Sequence, residues 1–99
     1  MSANKTNAIL IAPNDDVVTA IVELKPGEAG RYAESGKLRE ITVVDEVPKF
    51  HKIALRDIAR GGQVRKYGEI IGVATQNIAK GSHVSDKNIA SPDELPGRA

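Results

Sequence analysis

The sequence predicts a single, mostly β domain of short strands joined by brief helical turns. Its 99 residues suit one hydrophobic core, because such cores are commonest at roughly 100 to 150 residues. The apolar 40% of the chain is mainly Ile, Val, Leu and Ala, and β-branched side chains favour strands. No segment keeps the apolar spacing of a long helix, since glycine or proline interrupts every window. Strands must therefore carry the fold.

Turn signals divide the apolar segments and so locate the strands. A Pro-Asn-Asp-Asp turn occupies residues 13–16, and Pro26-Gly27 ends the next apolar segment. The polar residues 28–37, which include two glycines, predict a loop or an irregular hairpin. The predicted strands are residues 7–11, 17–24, 38–47, 52–55, 64–67 and 69–74, with a last element beginning near His83.

An internal repeat joins these strands. Residues 57–64 overlay residues 77–84 with six of eight positions identical or similar, and residues 23–28 form a weaker third copy. Each copy has a polar residue that can cap a turn, then an apolar residue that fills the core, and then a glycine. The glycine permits positive φ and lets the chain start the next strand. We therefore expect Gly61 and Gly81 to have positive φ.

Composition excludes several classes of protein. Without cysteine the chain has no disulfide, thiolate metal site or thiol nucleophile. A net charge of +1 argues against a general nucleic-acid binder. The polar start and the short apolar run at residues 8–12 predict no membrane segment and a cytoplasmic location. The small aliphatic core predicts an assembly, either a homo-oligomer or a complex with a partner.

An ordered set of motifs resembles one family. The set comprises Val-Pro-Lys-Phe-His-Lys-Ile-Ala-Leu at residues 47–55, Asp-Ile at 57–58, Tyr-Gly-Glu-Ile-Ile-Gly at 67–72, and Ile-x-x-Gly turns at 58–61 and 78–81. This set resembles the SAF domain of the altronate and galactarate dehydratases, and sulfolactate sulfo-lyase small subunits are similar to it. The resemblance runs from about residue 8 to residue 91.

The resemblance implies a β-clip fold (SAF-like) over residues 1–91, with residues 92–99 either a flexible tail or the stub at which a longer relative continues. It also implies a β-elimination on a sugar acid, or on a sulfonate or related 2-hydroxy acid, completed by a large dehydratase-like subunit. It implies no cofactor in this chain alone and leaves a divalent metal open for the complete enzyme. Two departures are expected to matter: relatives commonly carry histidine where this chain has Ala12, and a His-x-His-Asn-Leu end where it has residues 85–89.

A histidine and several cations are the candidate site residues. His51, beside Lys52, can act as a general base near pH 7, or it can simply hold the turn before it. Lys52, Arg56 and Lys66 can bind a carboxylate or sulfonate, and strand alternation would place Lys52 and Arg56 on one face. The alternative is a solvated basic face.

The remaining polar residues are weaker candidates. Tyr67 is a candidate for substrate binding or a packed aromatic beside a tight turn. His83 has no second ligand close in sequence, so no metal site is predicted from this chain alone. Asp15 and Asp16 are expected to satisfy backbone N–H groups of their turn.

Three functional hypotheses follow. The first is a small subunit or N-terminal-type SAF domain of a lyase, which shapes or covers an active site with a large subunit. The second is a non-enzymatic SAF module for binding or assembly. The third is a fragment of a full dehydratase. The polar N-terminus favours the lyase over an exported assembly protein.

Overall fold

The computed structural model describes residues 6–91, and within them nine strands form three antiparallel sheets. The strands are β1 (Ala8–Ile9), β2 (Val17–Ala20), β3 (Ala29–Glu34), β4 (Lys37–Thr42), β5 (Lys52–Ala54), β6 (Gln63–Lys66), β7 (Glu69–Ala74), β8 (His83–Val84) and β9 (Ile89–Ala90). The sheets have the orders β1-β2-β5-β8, β3-β4 and β6-β7-β9. The predicted mostly β single domain is confirmed.

The four-stranded sheet separates two small cores. Val18 of β2 lies opposite Ile53 of β5, and Val17 lies opposite Ala54. Successive residues of a strand point to opposite faces. Val18 and Ile53 accordingly pack with buried residues of the β3-β4 hairpin, whereas Val17 and Ala54 pack with those of β6 and β7. Each hairpin thus covers one face of the central sheet.

Two-residue turns close both hairpins. Ser35 and Gly36 have φ of 51° and 78°, and Tyr67 and Gly68 have φ of 60° and 74°. Positive φ at both central residues defines a type I′ turn, whose twist matches that of the strands it joins. Tyr67-Gly68 therefore sits at an exposed hairpin tip.

The predicted loop or irregular hairpin at residues 28–37 is instead a regular strand, β3, and its turn into β4. The sequence hid this strand because its two buried positions are Gly30 and Tyr32, so no alternating aliphatic pattern is visible. Residue 30 has little room for a side chain, since a Cβ there would lie 3.2 Å from Ile53 Cδ1.

Four turns of one form connect the strands, one more than the repeat predicted. They begin at the buried residues Leu24, Val47, Ile58 and Ile78. In each turn the backbone N–H of the residue four positions after this starting residue donates to the carbonyl of the residue one position after it. The turns are joined in pairs by isolated bridges, Leu24 with Val47 and Ile58 with Ile78. These bridged pairs are the connections between the central sheet and its hairpins.

The third residue after each start has positive φ. Gly27, Gly61 and Gly81 have φ of 92°, 86° and 88°, which confirms the expectation for Gly61 and Gly81. The Val47 turn has Phe50 at this position, with φ of 70°. Its lack of glycine explains why the sequence repeat did not reveal it.

The described residues contain no helix. The brief helical turns occur as these hydrogen-bonded reversals and as one turn at residues 85–89, in which the Ile89 N–H donates to the Ser85 carbonyl at 3.1 Å. No helix in that part of the chain is long and apolar enough to cross a membrane. The predicted tail at residues 92–99 lies outside the described residues.

Candidate functional site

Two histidines that are distant in sequence meet at one edge of the central sheet. β5 pairs with β8, the last strand of that sheet, so that Ile53 lies opposite His83. His51 precedes Ile53 by two positions and shares its face. His51 Nδ1 lies 2.8 Å from His83 Nε2, with ring centroids 4.9 Å apart and ring planes inclined by 41°. A hydrogen bond between neutral imidazoles requires one ring to donate and the other to accept.

This pair was not predicted from the sequence, because His83 has no second ligand close in sequence. The partner, His51, is 32 residues away, and only the β5-β8 register brings the two together. One signal could have revealed the pair. His51 is the fourth residue after Val47 and His83 is the fifth after Ile78. Recognition of the fourth turn would therefore have placed both histidines near the starts of strands that follow turns of the same form.

Burial and neighbouring positive charges favour the neutral form of His83 by lowering its pKa. Its pKa is lowered first by burial, then by His51, with smaller effects of the same sign from Lys52 and Lys87. Asp45 acts in the opposite direction, and its carboxylate also accepts a hydrogen bond from the His83 backbone N–H at 3.0 Å. A neutral imidazole can accept a proton near neutral pH.

Lys52 lies on the other side of the same sheet edge. Lys52 pairs with Val84, the residue after His83. Its side chain therefore points away from the face that carries His83. His51 and Lys52, which are adjacent in sequence, thus lie on opposite faces of the sheet. The Lys52 ammonium nevertheless lies close enough to contribute to the lowered pKa of His83.

The Lys52 side chain is partly buried in a cleft of about 330 Å³, which Ile71, Asp86 and Ile89 also line. Burial lowers the pKa of Lys52 first, the Lys66 charge lowers it further, and Asp86 opposes both effects. On the same face, the buried Thr19 Oγ1 has no hydrogen-bond partner among the described residues. The Lys52 ammonium is a cation that could bind an anionic group in this cleft.

Arg56 does not join Lys52, which corrects the expected shared face. Strand β5 ends at Ala54, so its alternation does not reach Arg56. Instead Arg56 Nε donates to Asp16 Oδ1 at 2.8 Å, and Arg56 lines a separate cleft of about 610 Å³ together with Arg65. The Asp16 carboxylate is buried and also accepts the Arg65 backbone N–H at 2.8 Å.

The acidic residues of the first turn reach beyond that turn. Asp15 accepts the Ala12 N–H within the turn, as expected, and also the backbone N–H groups of Tyr67 and Gly68 at the tip of the β6-β7 hairpin. These bonds hold the tip in place. The Ala12 Cβ would lie 3.8 Å from a Cβ at Gly68, so the loop and the tip are in close contact.

Tyr67 is exposed, which contradicts the packed-aromatic alternative. Its side chain is 61% exposed, and Lys66 Nζ lies 4.9 Å from the ring centroid. A cation over an aromatic face is an attractive arrangement. The hairpin tip therefore presents a cation and a phenol together, near the Lys52 cleft.

The described residues contain no cluster of three or more His, Asp or Glu side chains that could hold a metal ion. His51 and His83 could provide two nitrogen ligands, whereas catalytic zinc sites usually take three protein ligands. Residues 6–91 alone therefore do not fit a complete divalent-metal site of that type.

These features define a small strand-built domain with an imidazole pair and a partly buried lysine at one sheet edge. Residues 6–92 match the family described as the altronate/galactarate dehydratase SAF domain. Because this match covers most of the chain, the protein belongs to that family, and the resemblance seen in the sequence is confirmed.

Three relatives illustrate the size of the complete proteins. The chain is 34% identical to galactarate dehydratase (L-threo-forming) of Escherichia coli K12 over 82% of this chain and 15% of that protein. It is 39% identical to altronate dehydratase of the same organism over 75% of this chain and 14% of that protein. It is 34% identical to (2R)-sulfolactate sulfo-lyase subunit alpha of Chromohalobacter salexigens over 76% and 84%. The chain thus spans about 15% of the dehydratases.

Proposed function

We propose that this protein is the small subunit or N-terminal-type SAF domain of a lyase acting on a sugar acid or a sulfonate-bearing 2-hydroxy acid. In this proposal it contributes to substrate binding and to active-site closure with a large lyase portion outside this chain. The observation that carries the proposal is the His51–His83 hydrogen bond of 2.8 Å. The family of the chain and the much greater length of the dehydratases support it.

The imidazole pair suits the proton transfers of a β-elimination. A base removes the proton on the carbon next to the carboxylate, and its electron pair forms the double bond. The β-carbon then loses hydroxide, which takes up a proton as water, or it loses sulfite from a sulfonate. A neutral imidazole can accept the first proton. Because His51 and His83 share a hydrogen bond, the second ring can stabilise the imidazolium that forms.

Lys52, Lys66 and Tyr67 supply the proposed substrate contacts. The two ammonium groups would hold a carboxylate as point charges, and the exposed Tyr67 hydroxyl can donate to a substrate oxygen. Arg56 lines the Asp16 cleft and not the Lys52 cleft. Its contact with substrate stays a prediction, and it requires a part of the substrate to reach the Asp16 cleft.

A larger portion is needed to exclude water. His51 is exposed and Lys52 only partly buried, so solvent screens both in the chain alone. Closure would lower the local dielectric and strengthen each charge–carboxylate interaction several-fold. We therefore expect the isolated chain to turn over neither altronate, galactarate nor sulfolactate.

The test reconstitutes the chain with the large lyase subunit of the same genome, meaning the protein that corresponds to the remainder of galactarate dehydratase. We expect His51→Ala and His83→Ala to lower kcat by about 100-fold or more. Lys52→Met keeps the aliphatic stem and should raise KM at least about tenfold, since it removes a charge that binds substrate in both ground and transition states. Lys37→Ala, an exposed lysine on β4, is the matched control.

Two further results bear on this proposal. Since the pKa of His83 is lowered, the acid limb of the pH–rate profile should lie below the ordinary imidazole value of about 6.5. Turnover by the isolated chain, or unchanged kcat and KM for all three variants, would contradict it.

A further inference from the structure

Phe50 occupies a position that the other three turns give to glycine. Gly27, Gly61 and Gly81 adopt φ of 86° to 92°, and Phe50 adopts φ of 70° in the same hydrogen-bonded turn. Bulky residues rarely occupy this left-handed region, because their Cβ approaches the backbone too closely. A residue kept in such a conformation suggests a role for its side chain beyond the turn.

Packing within the chain does not account for Phe50. Its side chain is 65% exposed, the largest value among the exposed large hydrophobic residues of the described chain. Its recorded ring contact is with Lys49, whose Nζ lies 4.9 Å from the ring centroid. An exposed phenylalanine in a strained turn neither fills the core nor relaxes the backbone.

Phe50 and a second exposed apolar residue flank the imidazole pair. Phe50 directly precedes His51. On the other side, Val44 is 54% exposed, its N–H donates to the Gly81 carbonyl at 3.0 Å, and it precedes Asp45, which holds the His83 backbone. We call Val44 and Phe50 the apolar flank. The flank is thus continuous with the candidate site.

We propose that the apolar flank docks the large lyase portion, with Phe50 inserted into an apolar pocket of that partner, so that docking closes the active site over His51 and His83. The identity of the partner rests on the proposed function. The length of the relatives points to this partner: the dehydratases extend far beyond the segment that this chain matches, which is about 15% of their length. A buried aromatic anchor with a polar rim is the usual centre of binding energy in an interface.

The decisive variant is Phe50→Gly, because glycine suits the observed φ and should not impair folding. We expect the isolated variant to melt no lower than the wild type. Its Kd for the large subunit, measured by calorimetry, should rise at least tenfold. Ser35→Gly is the matched control: it also replaces an exposed residue of positive φ, but at the tip of the β3-β4 hairpin. Its Kd should equal that of the wild type.

Other results would overturn the proposal. A Kd for Phe50→Gly within twofold of the wild-type value would do so, as would the absence of wild-type binding. If Phe50→Gly melts lower than the wild type, Phe50→Asn repeats the test with a residue that tolerates positive φ.

The experiments distinguish a failure of the docking proposal from a failure of the proposed function. If His51→Ala and Lys52→Met impair turnover while Phe50→Gly binds normally, the docking surface is wrong and the lyase assignment stays. If binding depends on Phe50 but the complex turns over no substrate, the docking surface stays and the lyase assignment fails.

Discussion

The two bridged pairs of turns share a backbone pattern but differ in side-chain chemistry. In the Ile58–Ile78 pair, each turn caps the other: Asp57 accepts the Lys80 N–H at 2.8 Å, and Asn77 accepts the Arg60 N–H at 2.9 Å. The sequence predicted caps at these positions, but within their own turns. Crossed caps tie the two turns to each other and should make this pair rigid.

In the Leu24–Val47 pair, Glu23 and Glu46 occupy the corresponding positions. Their carboxylates lie 3.6 and 3.2 Å from Lys25 Nζ in exposed ion pairs. Cross-capping is partly dispensable here, because Pro26 has no N–H to cap. This pair also carries Phe50. The difference indicates that one pair of turns stabilises the fold, whereas the other presents residues for contact.

Glycine substitution tests the first half of this comparison and should give the largest effect. A Cβ at Gly81 would overlap the Thr42 carbonyl oxygen, whereas a Cβ at Gly61 meets nothing within 4 Å. Both positions have positive φ. We expect Gly81→Val to lower the free energy of unfolding by about 3 kcal/mol or more, from overlap added to backbone strain.

Gly61→Val should cost only about 1 kcal/mol, from backbone strain alone. Chemical denaturation of both variants measures the difference. Equal losses would show that the close approach at Gly81 relaxes without cost.

The strands were predictable where the pattern of apolar side chains in the sequence indicates which residues are buried. Residues 69–74 form β7 as expected, and Val64 and Val84 are fully buried at equivalent repeat positions. Strand β3 was missed because its sequence has no alternating aliphatic pattern, and its strand conformation is fixed by pairing with β4. Strand β9 was missed for a similar reason: its two residues are ordered by pairing with β7.

The site was predictable in residue type more than in arrangement. His51 and Lys52 were singled out from the sequence, yet strand alternation places them on opposite faces, and His83 reaches His51 only through the β5-β8 register. Arg56 was misplaced because alternation was extended past the end of β5. Such relations depend on pairing between distant segments, which local sequence does not encode.

Removal of one crossed cap should give an intermediate effect. Asn77→Ala leaves the Arg60 N–H without its protein acceptor and should lower the free energy of unfolding by about 1 kcal/mol. Melting of the variant, beside Glu23→Ala as the control at the equivalent position, measures this effect. The control should melt closer to the wild type, because the Glu23 carboxylate is exposed and pairs with Lys25 at the surface. Equal melting temperatures for the two variants would remove the distinction between the pairs.

The smallest effect should come from Glu46→Gln in the Leu24–Val47 pair. The pKa of Glu46 is lowered by the Glu23 side chain and then by Lys25. A carboxyl group with a lowered pKa in the folded state stabilises the fold above its unfolded pKa, and this contribution disappears as the pH falls through the folded value. The variant should therefore melt slightly below the wild type at pH 7 in low salt, with no difference below about pH 3.

Salt provides the second condition for Glu46→Gln. Because both partners are exposed, about 0.5 M salt should screen their attraction and remove the difference in melting temperature at pH 7. A large loss that persists in salt would mean that Glu46 holds the Leu24–Val47 pair together as firmly as the crossed caps hold the other pair. That result would break the division between a stabilising pair and a contact pair.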